Sequence, residues 1–551
     1  MDPLGSLINS IKALPLGRFV IHVLDRLVAF LWRLPVIGKY INRIATHYLA
    51  TRTHPRPRPF SLWSEVPAPQ NSNGPVSDYT SWPGLTDRTF SSRHLPPLNE
   101  PLTLPSLEAA TELFMHEGST PMRTDRSSVL FMFFAQWFTD SFMRVNGEDR
   151  RKNSSNHDID LCQIYGLDEA TCSLLRAKKD GKLQHNETIT HAQFPDLLFD
   201  ELDNGELRVK CKYKELPHLN KTIELFEKFS TDKNRKKFLY ATGLDNGNSS
   251  IGYTAITTLF LREHNRICDL LIAAYATQWK RTQDPAYFNE RVFQTARMIN
   301  TCLVLRLVVE EYINHIVGKK SFRLDHQFAE RKPWYRTNWV SIEFNLLYRW
   351  HGMVPYAMQV NDQSVDAKDY RFNNELLETL GIETILTAAS RQAAGRIGLG
   401  NTPAFLKHAE MLSLQMGRDF KLRSYNDYRK QFKMRPLADF TELTGDTRLQ
   451  QKLEQEYTHI DNLEFITGIF AEDHQDDAIF GELLETMVSY DAFTQIYTNP
   501  LLSTQIHNEQ TLTKVGLDII NSTHSLQELA DRNKLTGTEV QMSFAAPGIK
   551  T

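Results

Sequence analysis

Two side chains able to do redox chemistry lie three residues apart near the middle of the chain. Residues 344–351 read Phe-Asn-Leu-Leu-Tyr-Arg-Trp-His, so Tyr348 and His351 would share one face of a helix. A neutral imidazole binds metals, and a phenol beside a haem iron can pass on an oxidising equivalent. The pair therefore predicts a haem site with a redox-active tyrosine. The alternative is that both residues, with Trp350, belong to the core of a buried helix.

The composition is that of a globular protein. The chain has 551 residues, 41% of them hydrophobic, which suffices for one large domain with appendages. Its net charge of -3 gives no general attraction to nucleic acid, and no nucleic-acid partner is expected. The five cysteines show no Cys-x-x-Cys spacing, which argues against a disulfide framework and a zinc site and favours a reducing compartment.

Residues 1–52 predict short amphipathic helices on a membrane surface. The first 58 residues contain nine Lys or Arg and two Asp. Their apolar runs are interrupted by Arg26 and Arg33, and none reaches the roughly 20 residues needed to span a bilayer. We therefore expect helices lying in one leaflet, which would make the protein monotopic. A cleavable signal peptide and helices packed on the body of the protein are the alternatives.

The remaining chain divides into a Pro-rich segment and a helical region. Residues 53–105 predict a linker or wrapping arm, and residues 106–551 predict one mainly α catalytic domain. The short runs 208–214 and 357–371 predict hairpins. Helical periodicity occurs at 107–117, 127–144, 251–278, 288–318, 339–350, 376–395, 403–416 and 478–498.

Several motifs between about residues 10 and 525 resemble the animal haem peroxidase superfamily, most closely its cyclooxygenase branch. The run Phe-Phe-Ala-Gln-Trp-Phe-Thr at 133–139 resembles the distal-haem helix, and Leu-Arg-Glu-His-Asn-Arg at 261–266 is similar to the superfamily signature. Glu-Glu-Tyr at 310–312 and the run 344–351 resemble the proximal side. The resemblance implies a mainly α, cyclooxygenase-like haem peroxidase domain preceded by membrane-binding helices, with haem b as cofactor.

The resemblance also implies roles for the two redox residues and for two cations. His351 would be the proximal ligand of the haem iron, and Tyr348 would be oxidised to a radical that abstracts hydrogen from an unsaturated fatty acid before O2 adds. Arg52 would hold the fatty-acid carboxylate at the channel mouth. Lys319 occupies the place of a family tyrosine that assists this arginine. For Arg52 alone, a solvated surface residue is an equally good explanation.

The remaining implied site residues belong to the channel and to the haem pocket. Thr494 or Gln495 falls near the position of the serine that some inhibitors of the family acylate. Thr139, Asn345 and Trp350 would contact the haem.

The chain departs from the family pattern at Asp140, where a distal histidine is expected four residues after Gln136. On a helix the two side chains still share a face. An ordinary aspartate is ionised near pH 7 and is a poor acid for peroxide cleavage, so Asp140 could replace the histidine only if burial raised its pKa. The alternative is an aspartate that hydrogen-bonds a backbone group or an arginine.

These features together predict a haem-dependent dioxygenase that converts an unsaturated fatty acid and O2 into a hydroperoxide or endoperoxide, with weak peroxidase activity. One alternative is a haem peroxidase or hydroperoxide isomerase acting on preformed lipid peroxides, and another is a non-catalytic haem-binding protein. We expect a peripheral protein on the cytoplasmic face of a membrane, and a homodimer is left open.

Overall fold

The computed structural model describes most of the chain after the first 29 residues. The described ranges are 30–32, 34–53, 87–98, 101–118, 122–187, 193–318, 322–336, 338–474 and 478–548. A continuous hydrophobic core joins residues from Ala50 to Phe544, and a smaller cluster lies around Tyr213 and Phe226. The division of the chain at residues 52 and 105 stays a prediction.

Helices dominate the described residues, as the sequence predicts. They are α1 Pro35–Leu49, α2 Leu107–Glu112, α3 Val129–Thr139, α4 Cys162–Tyr165, α5 Glu169–Leu175, α6 Leu219–Phe229, α7 Ile251–Tyr275, α8 Pro285–Leu307, α9 Asn314–Ile316, α10 Ile342–Leu347, α11 Asn374–Leu380, α12 Ile382–Ser390, α13 Lys407–Asp419, α14 Tyr425–Gln431, α15 Thr447–Tyr457, α16 Phe465–Ala471, α17 Glu482–Tyr497, α18 Glu509–Ser522 and α19 Leu526–Asn533. Short 3₁₀ segments are Cys211–Tyr213, Lys233–Phe238, His351–Met353, Ala367–Tyr370, Ala404–Leu406, Ile460–Asn462 and Pro500–Leu502.

The strands form two-stranded antiparallel pairs: β1 Arg123–Ser128 with β8 Ala393–Gly395, β2 His185–Glu187 with β3 Gln193–Pro195, β4 Phe199–Glu201 with β5 Leu207–Val209, and β6 Ala357–Val360 with β7 Gln363–Asp366. The β6–β7 hairpin confirms the prediction for 357–371. The hairpin predicted at 208–214 is wrong, because β5 pairs back to β4. Tyr213 instead buries its ring in a 3₁₀ turn, where its hydroxyl donates to Asp196 at 2.8 Å.

Polar caps fix where the central helices start. Ser128 caps α3, Ser250 caps α7 and Asp284 caps α8, each side chain accepting a hydrogen bond from a backbone N–H three residues on. Helix α7 is buried over most of its length and packs against α3, α8, α12 and α19. It is therefore the helix around which the core is assembled.

A π-helical segment, Val308–Ile313, continues α8. Such segments hold one residue more per hydrogen-bonded turn than an α-helix and often occur at functional sites. The segment carries Tyr312, whose ring stacks on Phe131 of α3 at 5.1 Å between centroids. Within the described residues, the stretch Pro285–Ile316 is long and apolar enough to cross a membrane, yet 78% of its apolar window is buried. We read it as a core helix.

The helix predicted over 339–350 ends earlier than expected. Helix α10 stops at Leu347, Tyr348 has non-helical backbone angles, and His351 opens a separate 3₁₀ turn. The Trp350 indole N–H donates to the Leu347 carbonyl at 2.6 Å and so satisfies one of the carbonyls left free at the helix end. The prediction that Tyr348 and His351 share one helical face is therefore wrong.

Candidate functional site

Tyr348 lies in an aromatic stack that joins three parts of the fold. Its ring stacks on Trp350 at 4.5 Å between centroids, and Trp350 stacks on Phe131 of α3 at 5.8 Å. The phenol of Tyr312 also lies close enough to Tyr348 to change its pKa. The stack fixes the tyrosine where α3, the π-helical segment and the end of α10 meet.

The Tyr348 phenol is a protonated group at neutral pH. Burial is the main cause that raises its pKa; the negative charge of Asp491 raises it further, and Tyr312 opposes the shift. Burial likewise raises the pKa of Tyr312. At neutral pH the side chain is therefore a phenol and not a phenolate.

His351 is positioned by close backbone packing on both sides of its turn. A Cβ on Gly395 of β8 would lie 1.9 Å from the carbonyl oxygen of Gly352, so β8 can approach the turn only because residue 395 is glycine. The Asn401 amide donates to the same Gly352 carbonyl at 3.1 Å. His351 Nδ1 lies 3.0 Å from Oε1 of Glu410, which leaves Nε2 as the nitrogen that could bind a metal.

Arg349 and Asn345 place a half-buried cation beside this turn. The Arg349 guanidinium donates to the Asn345 side-chain oxygen, while its Nε has no hydrogen-bond partner among the described residues. Burial and the neighbouring charge of Arg150 lower the pKa of Arg349 to about 10, and the charge of Glu410 opposes the shift. A guanidinium whose Nε–H is buried and unused suits an anionic group such as a carboxylate.

Gln136 and Thr139 lie in the last turn of α3 and Asp140 directly follows it, because this helix ends at Thr139 and not near residue 144 as the sequence predicts. Gln136 is exposed, and its side-chain oxygen accepts a hydrogen bond from Ser250 at 3.3 Å. The Thr139 hydroxyl donates to the Gln136 carbonyl at 3.1 Å. Thr139 therefore caps its own helix in this structure, and its predicted contact with haem stays a prediction.

Asp140 is held by polar partners in a largely buried position. Its carboxylate accepts a hydrogen bond from Asn246 at 2.5 Å and lies 3.9 Å from the Arg144 guanidinium. Burial raises the pKa of Asp140, whereas Arg144, Asn246 and Tyr253 oppose the shift. Both sequence alternatives therefore have support, since the acid has a raised pKa and an arginine lies nearby.

The residues predicted to bind substrate lie along α1 and α17. Arg52, just after α1, is 8% exposed, and its guanidinium donates to the Tyr48 hydroxyl one turn earlier. Thr494 of α17 is buried; its hydroxyl donates to the Tyr490 carbonyl at 2.8 Å. Gln495 is 2% exposed, and its amide nitrogen has no partner in the described part of the chain. Lys319 lies outside the described residues.

The motif at 261–266 forms a buried network within the core. Glu263 is fully buried and accepts hydrogen bonds from Arg266 and from Arg532 of α19. His264 bonds the Tyr165 hydroxyl at 2.9 Å, and burial lowers the pKa of the imidazole to about 4. The motif thus joins α7 to the C-terminal helix.

The sequence interpretation missed Glu410, Tyr312 as a neighbour of Tyr348, and Tyr48 as a partner of Arg52. Glu410 is a carboxylate on the helix predicted over 403–416, and one acidic residue in a helical run gives no sign of its partner. Tyr48 stands four residues before Arg52, a helical spacing that could have suggested the contact.

Comparisons with known proteins agree with this arrangement. The sequence pattern of the animal haem peroxidase family matches residues 123–545. Prostaglandin G/H synthase 1 of Mus musculus is 30% identical over 498 residues, which cover 88% of this chain and 76% of the relative.

Two solved structures share the fold. The fatty acid alpha-dioxygenase of Oryza sativa superposes with a TM-score of 0.65 at 16% identity, covering 97% of this chain and 96% of that one. Peroxidase A of Dictyostelium discoideum gives a TM-score of 0.63 at 18% identity, covering 89% and 100%.

The chain belongs to the animal haem peroxidase family. It is a haem-dependent oxidoreductase, and its cofactor is haem b. The side chains described above fit that group: His351 offers a free Nε2, and Arg349 has an unused buried N–H for a haem carboxylate. The predicted mainly α haem peroxidase fold and the predicted cofactor are confirmed, whereas the membrane-binding helices before the domain stay a prediction.

Proposed function

We propose that the protein is a dioxygenase that adds O2 to an unsaturated fatty acid through a Tyr348 radical. The observation that carries the proposal is the placement of a partly buried, protonated phenol three residues from His351 and in contact with the Trp350 ring. Relatives named as prostaglandin synthases and a structural neighbour named as a fatty acid dioxygenase support the substrate class.

The chemistry follows from the Tyr348 O–H bond. Haem bound at His351 would supply the one-electron oxidant that removes an electron and a proton from this phenol. The tyrosyl oxygen then takes a hydrogen atom from a weak C–H bond of the substrate, and O2 adds to the carbon radical. The resulting peroxyl radical recovers a hydrogen atom from Tyr348, which leaves a hydroperoxide and restores the tyrosyl radical.

Helix α17 supports a substrate path between Arg52 and Tyr348. It packs against α1, which precedes Arg52, and against α10, which precedes Tyr348. It also carries Thr494 and Gln495, the two residues that the sequence assigns to the channel. We propose that the carboxylate binds at Arg52 and that the acyl chain follows α17 inward.

The exposed side of α1 supports attachment to one leaflet of a membrane. Val36, Ile37, Tyr40 and Ile44 lie on one side of α1 with 77%, 41%, 69% and 64% of their surface exposed. The opposite side is held to the protein, where the Asn42 amide donates to the Arg323 carbonyl at 2.8 Å. A helix that presents its apolar side outward suits a lipid interface. The cytoplasmic face and a homodimer stay predictions.

Arg52 should contribute to fatty-acid binding through the substrate carboxylate. Arg52→Gln should raise the KM for a fatty acid by about 10- to 100-fold, because a charge-assisted hydrogen bond is worth roughly 1.5–3 kcal/mol. Steady-state oxygen uptake measures the effect, and kcat should change little. Arg43→Gln is the matched control on α1, since Arg43 pairs with Asp325 at 2.6 Å. An equal KM for Arg52→Gln and the natural chain would contradict the proposed carboxylate site.

A panel experiment tests the proposed function directly. The haem-reconstituted protein should consume O2 with unsaturated C18 and C20 fatty acids and give positionally defined oxygenated products. His351→Ala should weaken haem binding at least about tenfold, visible as loss of the Soret band at limiting haem. No oxygen uptake with any fatty acid, or an unchanged haem titration in the variant, would reject the proposal.

The second candidate is a haem peroxidase or hydroperoxide isomerase. The raised pKa of Asp140, next to Gln136, favours it, because a carboxyl group of raised pKa can exchange protons with a peroxide nearer neutral pH. Turnover of a preformed lipid hydroperoxide without oxygen uptake would identify this function.

A further inference from the structure

Glu410 is a buried carboxylate that lies beside the imidazole of His351. Its side chain is 1% exposed, and its Oε1 lies 3.0 Å from His351 Nδ1. The same oxygen accepts a hydrogen bond from the Thr402 hydroxyl at 2.7 Å. One hydroxyl donor satisfies only part of the hydrogen-bonding capacity of a buried carboxylate, so this placement requires an explanation.

The surroundings of Glu410 point toward the histidine. Its second oxygen, Oε2, has no hydrogen-bond partner among the described residues, and the same holds for His351 Nδ1 in its present orientation. Since the two groups are already within hydrogen-bond reach, a small rotation of the imidazole aligns Nδ1–H with the carboxylate. Glu410 of α13 can therefore act as the hydrogen-bond acceptor of His351.

We propose that Glu410 is a positioning residue that accepts the Nδ1 proton of His351 and sets the electron donation of this ligand to the haem iron. The inference rests on the proposed role of His351 as the proximal ligand. A carboxylate partner fixes the tautomer and orientation of a ligating histidine and raises its basicity. Glu410 would therefore strengthen the iron–histidine bond and stabilise the oxidised iron, lowering its reduction potential.

Thr402 allows the proposal to predict the sign of each shift. Its hydroxyl donates to the carboxylate oxygen that faces His351, and this donation withdraws electron density from that oxygen. Removing the hydroxyl should make Glu410 a stronger acceptor, whereas neutralising Glu410 should make it a weaker one. The two changes are therefore expected to shift the properties of the iron in opposite directions.

The experiment uses the haem-loaded full chain and two readouts other than turnover. Glu410→Gln should lower the iron(II)–histidine stretching frequency in resonance Raman spectra and raise the midpoint potential of the iron. Thr402→Val should shift both quantities the other way. Haem affinity of Glu410→Gln should fall by about 10- to 100-fold. Glu464→Gln is the control for loss of a buried carboxylate, because Glu464 pairs with Arg418 and not with a histidine.

The outcomes separate this inference from the proposed function. Unchanged stretching frequency and midpoint potential in both Glu410→Gln and Thr402→Val would overturn the role of Glu410. If Glu410→Gln does not fold, Thr402→Val alone decides, since a shift in the stated direction supports the proposal and no shift overturns it. If His351→Ala keeps the natural iron spectrum, His351 is not the ligand; the proposed haem site then fails, and this inference with it.

Discussion

Tyr348→Phe should reduce fatty-acid oxygenation by about 10³-fold or more while leaving haem binding intact. Phenylalanine keeps the ring that stacks on Trp350 but lacks the O–H bond that the proposed radical chemistry requires. Oxygen uptake with an unsaturated fatty acid measures the loss, and the Soret band confirms that the site still forms. Tyr356→Phe is the matched control, because that tyrosine contacts Phe405 and lies outside the proposed site.

Retained oxygen uptake in Tyr348→Phe would rule out the radical role of this tyrosine. If the variant instead keeps its turnover of preformed peroxide and loses only oxygenation, Tyr348 is required for fatty-acid oxygenation but not for peroxide turnover at the haem. That pattern would support the dioxygenase over the peroxidase interpretation.

Asp140→His should increase the turnover of hydrogen peroxide or a lipid hydroperoxide by about 10²- to 10⁴-fold, the usual range for a well-placed general acid–base. An imidazole with a pKa near 6.5 can take a proton from the peroxide and return it to the leaving oxygen. An Asp140→Asn variant provides the control, since it preserves the shape but neither accepts nor releases a proton at neutral pH. Peroxide consumption with a chromogenic reductant measures both variants.

The pH dependence checks the same assignment. Burial raises the pKa of Asp140, so in the natural chain the carboxylate form is lost at a higher pH than for an exposed aspartate as the solution is acidified. Residual peroxide turnover that depends on this base should therefore decline at a higher pH than an exposed aspartate would give. If Asp140→His gives no gain at any pH, the side chain at position 140 does not face the peroxide.

Much of the fold could be predicted because helical periodicity is a local property. The helices around 129–139, 251–275 and 482–497 fall inside the predicted stretches, with apolar faces that a linear pattern reveals. The early end of α10 at Leu347 could not be predicted in the same way. It depends on the hydrogen bond from the Trp350 indole to the Leu347 carbonyl, and helical periodicity in the sequence does not reveal such a contact.

In the candidate site, too, the local patterns could be predicted and the tertiary contacts could not. The types and spacing of Tyr348, His351, Gln136 and Asp140 could be read from the sequence, and the motifs around them point to the family. The acceptor beside His351 could not be found, because Glu410 is 59 positions away in the chain and approaches only through the packing of α13. Partners that lie far apart in the chain can be identified only from the tertiary structure.

The π-helical segment Val308–Ile313 determines the direction in which Tyr312 faces Tyr348. An extra residue in one turn rotates everything after it by about 100° relative to an uninterrupted α-helix. Deleting a single residue such as Val309 should let the helix run on in regular α register while the residues after the deletion keep their direction, because no surplus residue is left for the wide turn to absorb. The side chains of Tyr312 and of α9 thus owe their direction to a wide turn that absorbs one surplus amino acid. Closing that turn into a regular α-helix at full chain length would swing Tyr312 away from Phe131 and Tyr348 without replacing any chemical group.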